Sequence, residues 1–208
     1  MNKQTITPYG APPLKKRRAR RRASAALIAA ICATLASAAG AAPVTVRDDD
    51  GKLVTLPKPA QRIISMSPHV TELLFAAGAG DKIVGTVTYS DYPEAAKSIP
   101  RVGDNRLIDM ERVAAMKPDL IVIWMHGGFE RQIDNLRQLG VPLFHSEPTK
   151  LEGISDNIVR LGQLAGTEAV ANPAAADIRN QFASLARNTP TVRRCACSTR
   201  YGTSRSTR

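Results

Sequence analysis

Histidine and cysteine side chains give the first test of whether this sequence carries metal or nucleophilic chemistry. His69, His126 and His145 stand far apart, each at the end of a predicted strand or the start of a helix. Cys195 and Cys197 have no neighbours that would complete the four ligands of a zinc site. The sequence also lacks a phosphate-binding glycine loop, a Gly-x-Ser-x-Gly elbow, a His-Glu-x-x-His motif and a dinucleotide fingerprint. We therefore predict a protein that is not an enzyme and has neither cofactor nor metal, with a metal-dependent enzyme using the histidines as the alternative.

Large aromatic side chains follow two of the predicted strands. Tyr89 comes just after an apolar strand, and Trp124 ends the most apolar strand, with His126 two residues further on. Because open parallel sheets bind ligands at the C-terminal ends of their strands, these rings could stack on a planar or bulky ligand. They could equally anchor loops to the core, and their spacing alone leaves both interpretations open.

Alternating strands and helices must position these residues. Apolar residues on either side of an acidic turn predict a β-hairpin within residues 42–60. Buried strands are predicted at residues 62–66, 82–87, 120–124 and 141–144, with helices at 68–77, 110–116, before Gly140, and at 149–165 and 173–188. A capping box from Thr149 to Glu152 opens the fourth helix, and Pro173 starts the fifth. This order predicts an α/β fold, a three-layer lobe with a mostly parallel sheet, followed by a long helix.

The distribution of charge argues against a nucleic-acid partner, although the net charge is +11. Eight basic residues lie in 1–41 and five in 191–208, which leaves 16 basic residues against 18 acidic ones in 42–190. The predicted folded part is therefore mildly acidic, whereas a nucleic-acid-binding domain clusters basic residues on its surface. A basic, nucleic-acid-interacting protein is thus disfavoured.

The N-terminal segment has the features of a secretory signal. A cationic stretch from Lys15 to Arg22 precedes a short apolar run, and small residues at 39–41 offer a cleavage site. The apolar run is shorter than the roughly 20 residues that span a bilayer. We expect residues 1–41 to be the cleaved signal peptide of a secreted protein.

Four collinear motifs carry a resemblance to a known family. They lie at residues 62–78 (RIISMSPHVTELLFAAG), 89–96, 110–124 and 130–140. Together they resemble the periplasmic cobalamin-binding components of vitamin-uptake ABC transporters, within the iron-chelate and cobalamin solute-binding family. The resemblance spans about residues 62–171. It implies two α/β lobes joined by one helix, with the ligand held between the lobes.

The resemblance also implies roles for individual residues. Tyr89 and Trp124 match aromatic residues that line the corrin pocket, and Glu111 matches an acidic residue that docks on the inner-membrane permease. Asn105 stands where the family places a second pocket tryptophan, so the corrinoid contact differs there. The implied partners are a cobalamin-type small molecule and an ABC permease, and the protein is expected to be a monomer. A haem or ferric-siderophore binding protein, with His126 or Tyr89 as an iron ligand, is the alternative within the class.

The C-terminal segment departs from the pattern of the rest. Residues 61–172 match the N-terminal lobe of the family and residues 173–190 the helix between lobes, but residues 191–208 are Arg-, Ser- and Thr-rich with no apolar period. We interpret them as a disordered, out-of-frame tail that replaces the second lobe. On this hypothesis the chain is truncated and its cobalamin binding is impaired.

Overall fold

Four parallel strands form the central sheet. The computed structural model describes residues 42–104, 106–124 and 130–188. The strands are β1 (Val44–Arg47), β2 (Leu53–Leu56), β3 (Ile63–Ser65), β4 (Ile83–Thr86), β5 (Leu120–Ile123) and β6 (Leu143–His145). The helices are α1 (Pro68–Ala76), α2 (Met110–Ala115), α3 (Glu130–Gln138), α4 (Leu151–Ala165) and α5 (Glu168–Asn188), with short 3₁₀ turns at Gly80–Lys82 and Glu94–Ser98. The sheet order is β4-β3-β5-β6 with every neighbouring pair parallel, which confirms the predicted α/β fold.

The sheet is buried on both faces because helices cover each of them. Alternate residues of a strand point to opposite faces, and β5 shows this directly. Leu120 and Val122 enter a core shared with the hairpin, α1, α4 and α5, whereas Ile121 and Ile123 enter a second core with α2 and α3. The continuous apolar run of β5 is thus explained by burial on two sides.

The antiparallel pair β1 and β2 forms the predicted hairpin, with Val46 opposite Val54. Its acidic turn is bonded to the end of β6 and to α4. Asp49 accepts hydrogen bonds from the Glu147 backbone N–H at 2.6 Å, from the Asn157 side chain at 2.8 Å and from Arg160. Burial alone would raise the pKa of Asp49, but these bonds outweigh it and hold the pKa below its ordinary value.

Helices α4 and α5 pack closely through small residues. Gly166, at a φ of +67°, ends α4 in the left-handed conformation that glycine adopts readily. A Cβ on Gly162 would lie 2.2 Å from the Cβ of Ala171, so the two helices meet where a glycine faces an alanine. No helix within the described residues is long and apolar enough to cross a membrane.

Two predicted helix starts are wrong. The last helix begins at Glu168, five residues before Pro173, because the Thr167 carbonyl accepts the Val170 and Ala171 N–H groups at 2.9 and 3.0 Å. Burial of Ala171 against α4 stabilises this first turn, and Pro173 is accommodated inside the helix.

The predicted capping box is the second error. Helix α4 has Lys150 as its N-cap, without a side-chain capping bond, so Thr149 and Glu152 do not cap it. The Gly153 N–H donates to the Lys150 carbonyl at 3.0 Å, which sets the first turn one residue later than predicted.

Candidate ligand-binding site

A cleft of about 260 Å³ opens at the C-terminal ends of β3, β4 and β5. Most of its wall is apolar. The lining includes Met66, Ser67, Tyr89, Asp104, Trp124 and Gln132. This is the edge at which open parallel sheets bind ligands. The volume is below the roughly 300–1,000 Å³ of typical small-molecule sites, so a larger ligand placed here would extend beyond the described wall.

Tyr89 projects from the loop after β4. The residue is 81% exposed and its backbone has a φ of +67°, a left-handed conformation that is costly for a residue with a Cβ. The loop is fixed on both sides of it. The Thr88 N–H donates to the Gly103 carbonyl at 2.9 Å, and Arg101 donates to the Ser90 carbonyl at 3.0 Å. An exposed aromatic ring on a strained but anchored loop is typical of a contact residue rather than of a core anchor.

Buried hydroxyl groups connect this loop to α1 and to the end of β3. The Thr71 hydroxyl lies 2.9 Å from those of Ser65 and Thr86, and the Thr86 hydroxyl lies 2.8 Å from that of Ser90. All four side chains are buried. The chain of hydrogen bonds therefore fixes the position of the residue next to Tyr89 relative to α1.

Trp124 directly follows β5 and forms another part of the cleft wall, with 39% of the residue exposed. The His69 ring stands almost perpendicular to its indole, at an interplanar angle of 85° and 5.0 Å between centroids. His69 Nδ1 is in turn 2.7 Å from the Ser67 hydroxyl. The structure therefore brings Tyr89, after β4, and Trp124, after β5, to one cleft.

Asp104 and Ile108 line another part of the cleft. The Asp104 carboxylate accepts the Arg106 and Leu107 N–H groups at 2.7 and 2.9 Å, and these bonds lower the pKa of Asp104. Leu107, in the loop between Asp104 and Ile108, is 75% exposed. Asn105, proposed from the sequence as a ligand contact, lies outside the described residues, as does His126.

Gln132 on α3 was missed by the sequence reasoning. Its Nε2 donates to the Arg106 carbonyl, which fixes the amide. Its Oε1 is buried with no hydrogen-bond partner among the described residues. The only sequence signal was its position beside Ile133 on the apolar face of α3. Met66 could have been found, because it directly follows β3 as Trp124 follows β5.

The remaining predicted residues lie elsewhere. Glu111, in the first turn of α2, is exposed and does not line the cleft. His145 Nδ1 is 2.7 Å from Asp50 Oδ1 and its Nε2 is 3.2 Å from Glu147 Oε2, next to the hairpin turn. His69 instead contacts Ser67 and Trp124. Within the described part of the chain, no group of three or more His, Cys, Asp or Glu side chains could hold a metal ion.

Comparison with known proteins identifies the family of this chain. A sequence model of the periplasmic binding protein family matches residues 63–202, a range that extends into the segment after residue 190. The vitamin B12-binding proteins of Yersinia pestis (strain Pestoides F) and Yersinia pseudotuberculosis (serotype O:3, strain YPIII) are each 43% identical over 134 residues. In both cases the match covers 64% of this chain and 48% of the relative, so the chain spans about half the length of the curated relatives it matches.

Solved structures agree with the sequence relatives. The periplasmic vitamin B12 binding protein BtuF of Vibrio cholerae has 41% identity and a TM-score of 0.59, over 64% of this chain and 53% of that one. A periplasmic heme binding protein from Pseudomonas aeruginosa has 30% identity and a TM-score of 0.55, over 62% and 46% of the two chains. The match of the family model to residues 63–202, together with the fold shared with these solved structures, defines the class of protein. The chain belongs to the periplasmic binding protein family.

Proposed function

We propose that this chain captures a cobalamin-type molecule as part of the solute-binding component of an ABC importer. The observation that carries the proposal is the exposure of Tyr89 and Trp124 on one apolar cleft, at the edge of the sheet where solutes bind. Flat aromatic rings suit a large macrocycle, and the similarity to vitamin B12-binding proteins indicates which macrocycle.

The mechanism is capture without covalent chemistry. Tyr89 and Trp124 contact the ligand by stacking, and Asn105 and His126 are proposed as further contacts. The described cleft covers one side of such a ligand, because its 260 Å³ is small for a macrocycle. We therefore expect the described wall alone to hold such a ligand only weakly.

The proposed setting is the periplasm, reached through a signal peptide in residues 1–41, where the protein acts as a monomer and docks on an inner-membrane permease. Glu111 is the proposed docking residue, since an exposed carboxylate outside the cleft remains free to meet arginines of a partner while ligand is bound. Replacing Glu111 with lysine should reduce binding to the permease and leave ligand affinity unchanged. Glu72→Lys, at another exposed position, is the control.

Titration with cyanocobalamin tests the proposed ligand. Trp124 is the only tryptophan of the sequence, so quenching of intrinsic tryptophan fluorescence reports on the cleft itself. The matched pair is Tyr89→Ala and Tyr92→Ala, because both tyrosines are exposed in one loop but only Tyr89 lines the cleft. We expect Tyr89→Ala to weaken binding roughly tenfold or more, as for a central aromatic contact, and Tyr92→Ala to have little effect. Absence of saturable quenching in the parent chain would reject cobalamin as the ligand.

Haem is the second candidate, favoured by the 30% identity to a heme binding protein. Tyr89 has an exposed hydroxyl-bearing ring at the cleft and could serve as an iron ligand in that case. Absorbance separates the candidates: iron ligation by Tyr89 shifts the Soret band of added haemin, and the shift is lost in Tyr89→Phe.

A further inference from the structure

The hydroxyl of Ser67 does not cap α1, although its position at the start of the helix suggests that it should. Ser67 is the N-cap of α1, where a serine side chain usually accepts a backbone N–H of the first turn. Here no side-chain capping bond is formed, and the hydroxyl instead lies 2.7 Å from His69 Nδ1. Ser67 is buried and His69 is half-buried, so this bond is partly shielded from water. Helix α1 therefore lacks a common stabilising bond at its start, whereas the imidazole ring of His69 is held in a fixed orientation.

The oriented imidazole contacts the aromatic wall of the cleft. His69 and Trp124 meet in an edge-to-face arrangement, with 5.0 Å between their centroids and 85° between their planes. This geometry pairs the positive edge of one ring with the negative face of the other and depends on the angle between them. A rotation of either ring would disrupt it, so the Ser67 bond acts on Trp124 through His69.

We propose that Ser67 and His69 are positioning residues that hold the Trp124 indole in one orientation before a ligand arrives. The consequence for affinity rests on the proposed function, whereas the orientation itself belongs to the ligand-free protein. A side chain that is already ordered loses less freedom on binding, and the ligand meets a preformed surface. His69 therefore serves ligand binding through Trp124, without a contact to the ligand.

Time-resolved fluorescence anisotropy of the single tryptophan tests the orientation directly in the ligand-free chain. His69→Ala removes the ring, and Ser67→Ala removes the bond while leaving the ring. We expect both variants to show a larger fast component of anisotropy decay, which reports local motion of the indole. Glu72→Ala, an exposed change on the same helix, should leave the decay unchanged. Circular dichroism confirms that each variant is folded.

The cyanocobalamin titration gives the second readout. Both positioning variants should bind roughly three- to tenfold more weakly, the range expected when one side chain must be ordered on binding. If Ser67→Ala lowers thermal stability and leaves indole motion unchanged, Ser67 only stabilises the fold and the inference is wrong. Faster indole motion without weaker binding, in a parent chain that binds, would also overturn it. If the parent chain binds no corrinoid, the proposed function fails, and the anisotropy comparison alone decides whether Ser67 and His69 fix the indole.

Discussion

Replacing Tyr89 with glycine should stabilise the protein while weakening ligand binding. Tyr89 is 81% exposed, so the substitution removes little buried surface and the backbone decides the change in stability. A left-handed φ costs a residue with a Cβ about 1–2 kcal/mol, and glycine adopts it without this cost. The greater freedom of glycine in the unfolded chain offsets about 0.4–1 kcal/mol of that gain. The expected net effect is a rise of about 0.5–1 kcal/mol in the free energy of unfolding.

Lys117 provides the matched control. It is also exposed, has a φ of +46° and follows α2 outside the cleft lining. Lys117→Gly should therefore raise stability by a similar amount and leave cyanocobalamin binding unchanged. Thermal unfolding followed by circular dichroism should show Tm increases of about 1–4 °C for both variants, given the size of the chain. Only Tyr89→Gly should weaken binding.

Two results would refute this reasoning. A lower Tm for Tyr89→Gly, with the expected increase for Lys117→Gly, would mean that the tyrosine ring supports its loop and that the positive φ is not the main term. Equal loss of binding in both variants would mean that the ligand site is not at Tyr89. A gain in stability together with a loss of binding is the pattern of a residue kept in a strained conformation for its contact.

Three further predictions concern the framework of the fold. The pKa of Asp49 is lowered in the folded protein, so its contribution to stability is complete above the ordinary aspartate pKa of about 4 and is lost as the pH falls below that value. Asp49→Asn should therefore lower Tm at pH 7 and lower it much less at pH 3. Gly162→Ala should cost about 1–3 kcal/mol in denaturant unfolding because of its clash with Ala171, and Gly162→Ala with Ala171→Gly should recover most of it. Ile121→Ala, at a fully buried position of β5, should cost about 2–5 kcal/mol by the same measurement.

The sheet was predictable because burial on both faces leaves a clear mark on the sequence. The continuous apolar run at residues 120–124 could be recognised without tertiary information, and the alternation of strands with helices predicted a mostly parallel sheet. The start of α5 was not predictable, because Pro173 is a strong local signal for the first position of a helix. The packing of Ala171 against Gly162, which overrides that signal, involves residues from two different helices.

The candidate site was predictable only where it depends on strand ends. Tyr89 and Trp124 follow strands, and the strand-end rule brings them together. Gln132 comes from a helix and reaches the cleft through its bond to the loop at Arg106, which no sequence spacing encodes. His69 was recognised as a chemically capable residue, but its partners were not. Nothing in the order of residues along the sequence indicates that Ser67, a helix N-cap, and Trp124, after β5, both contact the His69 ring.

The polar groups behind the cleft explain why its wall can be rigid. A buried hydroxyl without a partner costs about 1–3 kcal/mol, so four buried hydroxyls are tolerated only if they bond to one another or to the backbone. Those of Ser65, Thr71, Thr86 and Ser90 do so, and an apolar core at this place would lack such directional constraints. This series of hydroxyl–hydroxyl bonds ends at Ser90, beside Tyr89, and the Ser67 bond acts on Trp124 through His69. Both aromatic residues are therefore held by directional bonds. A wall fixed in this way favours capture of a solute by a preformed surface over adaptation to it.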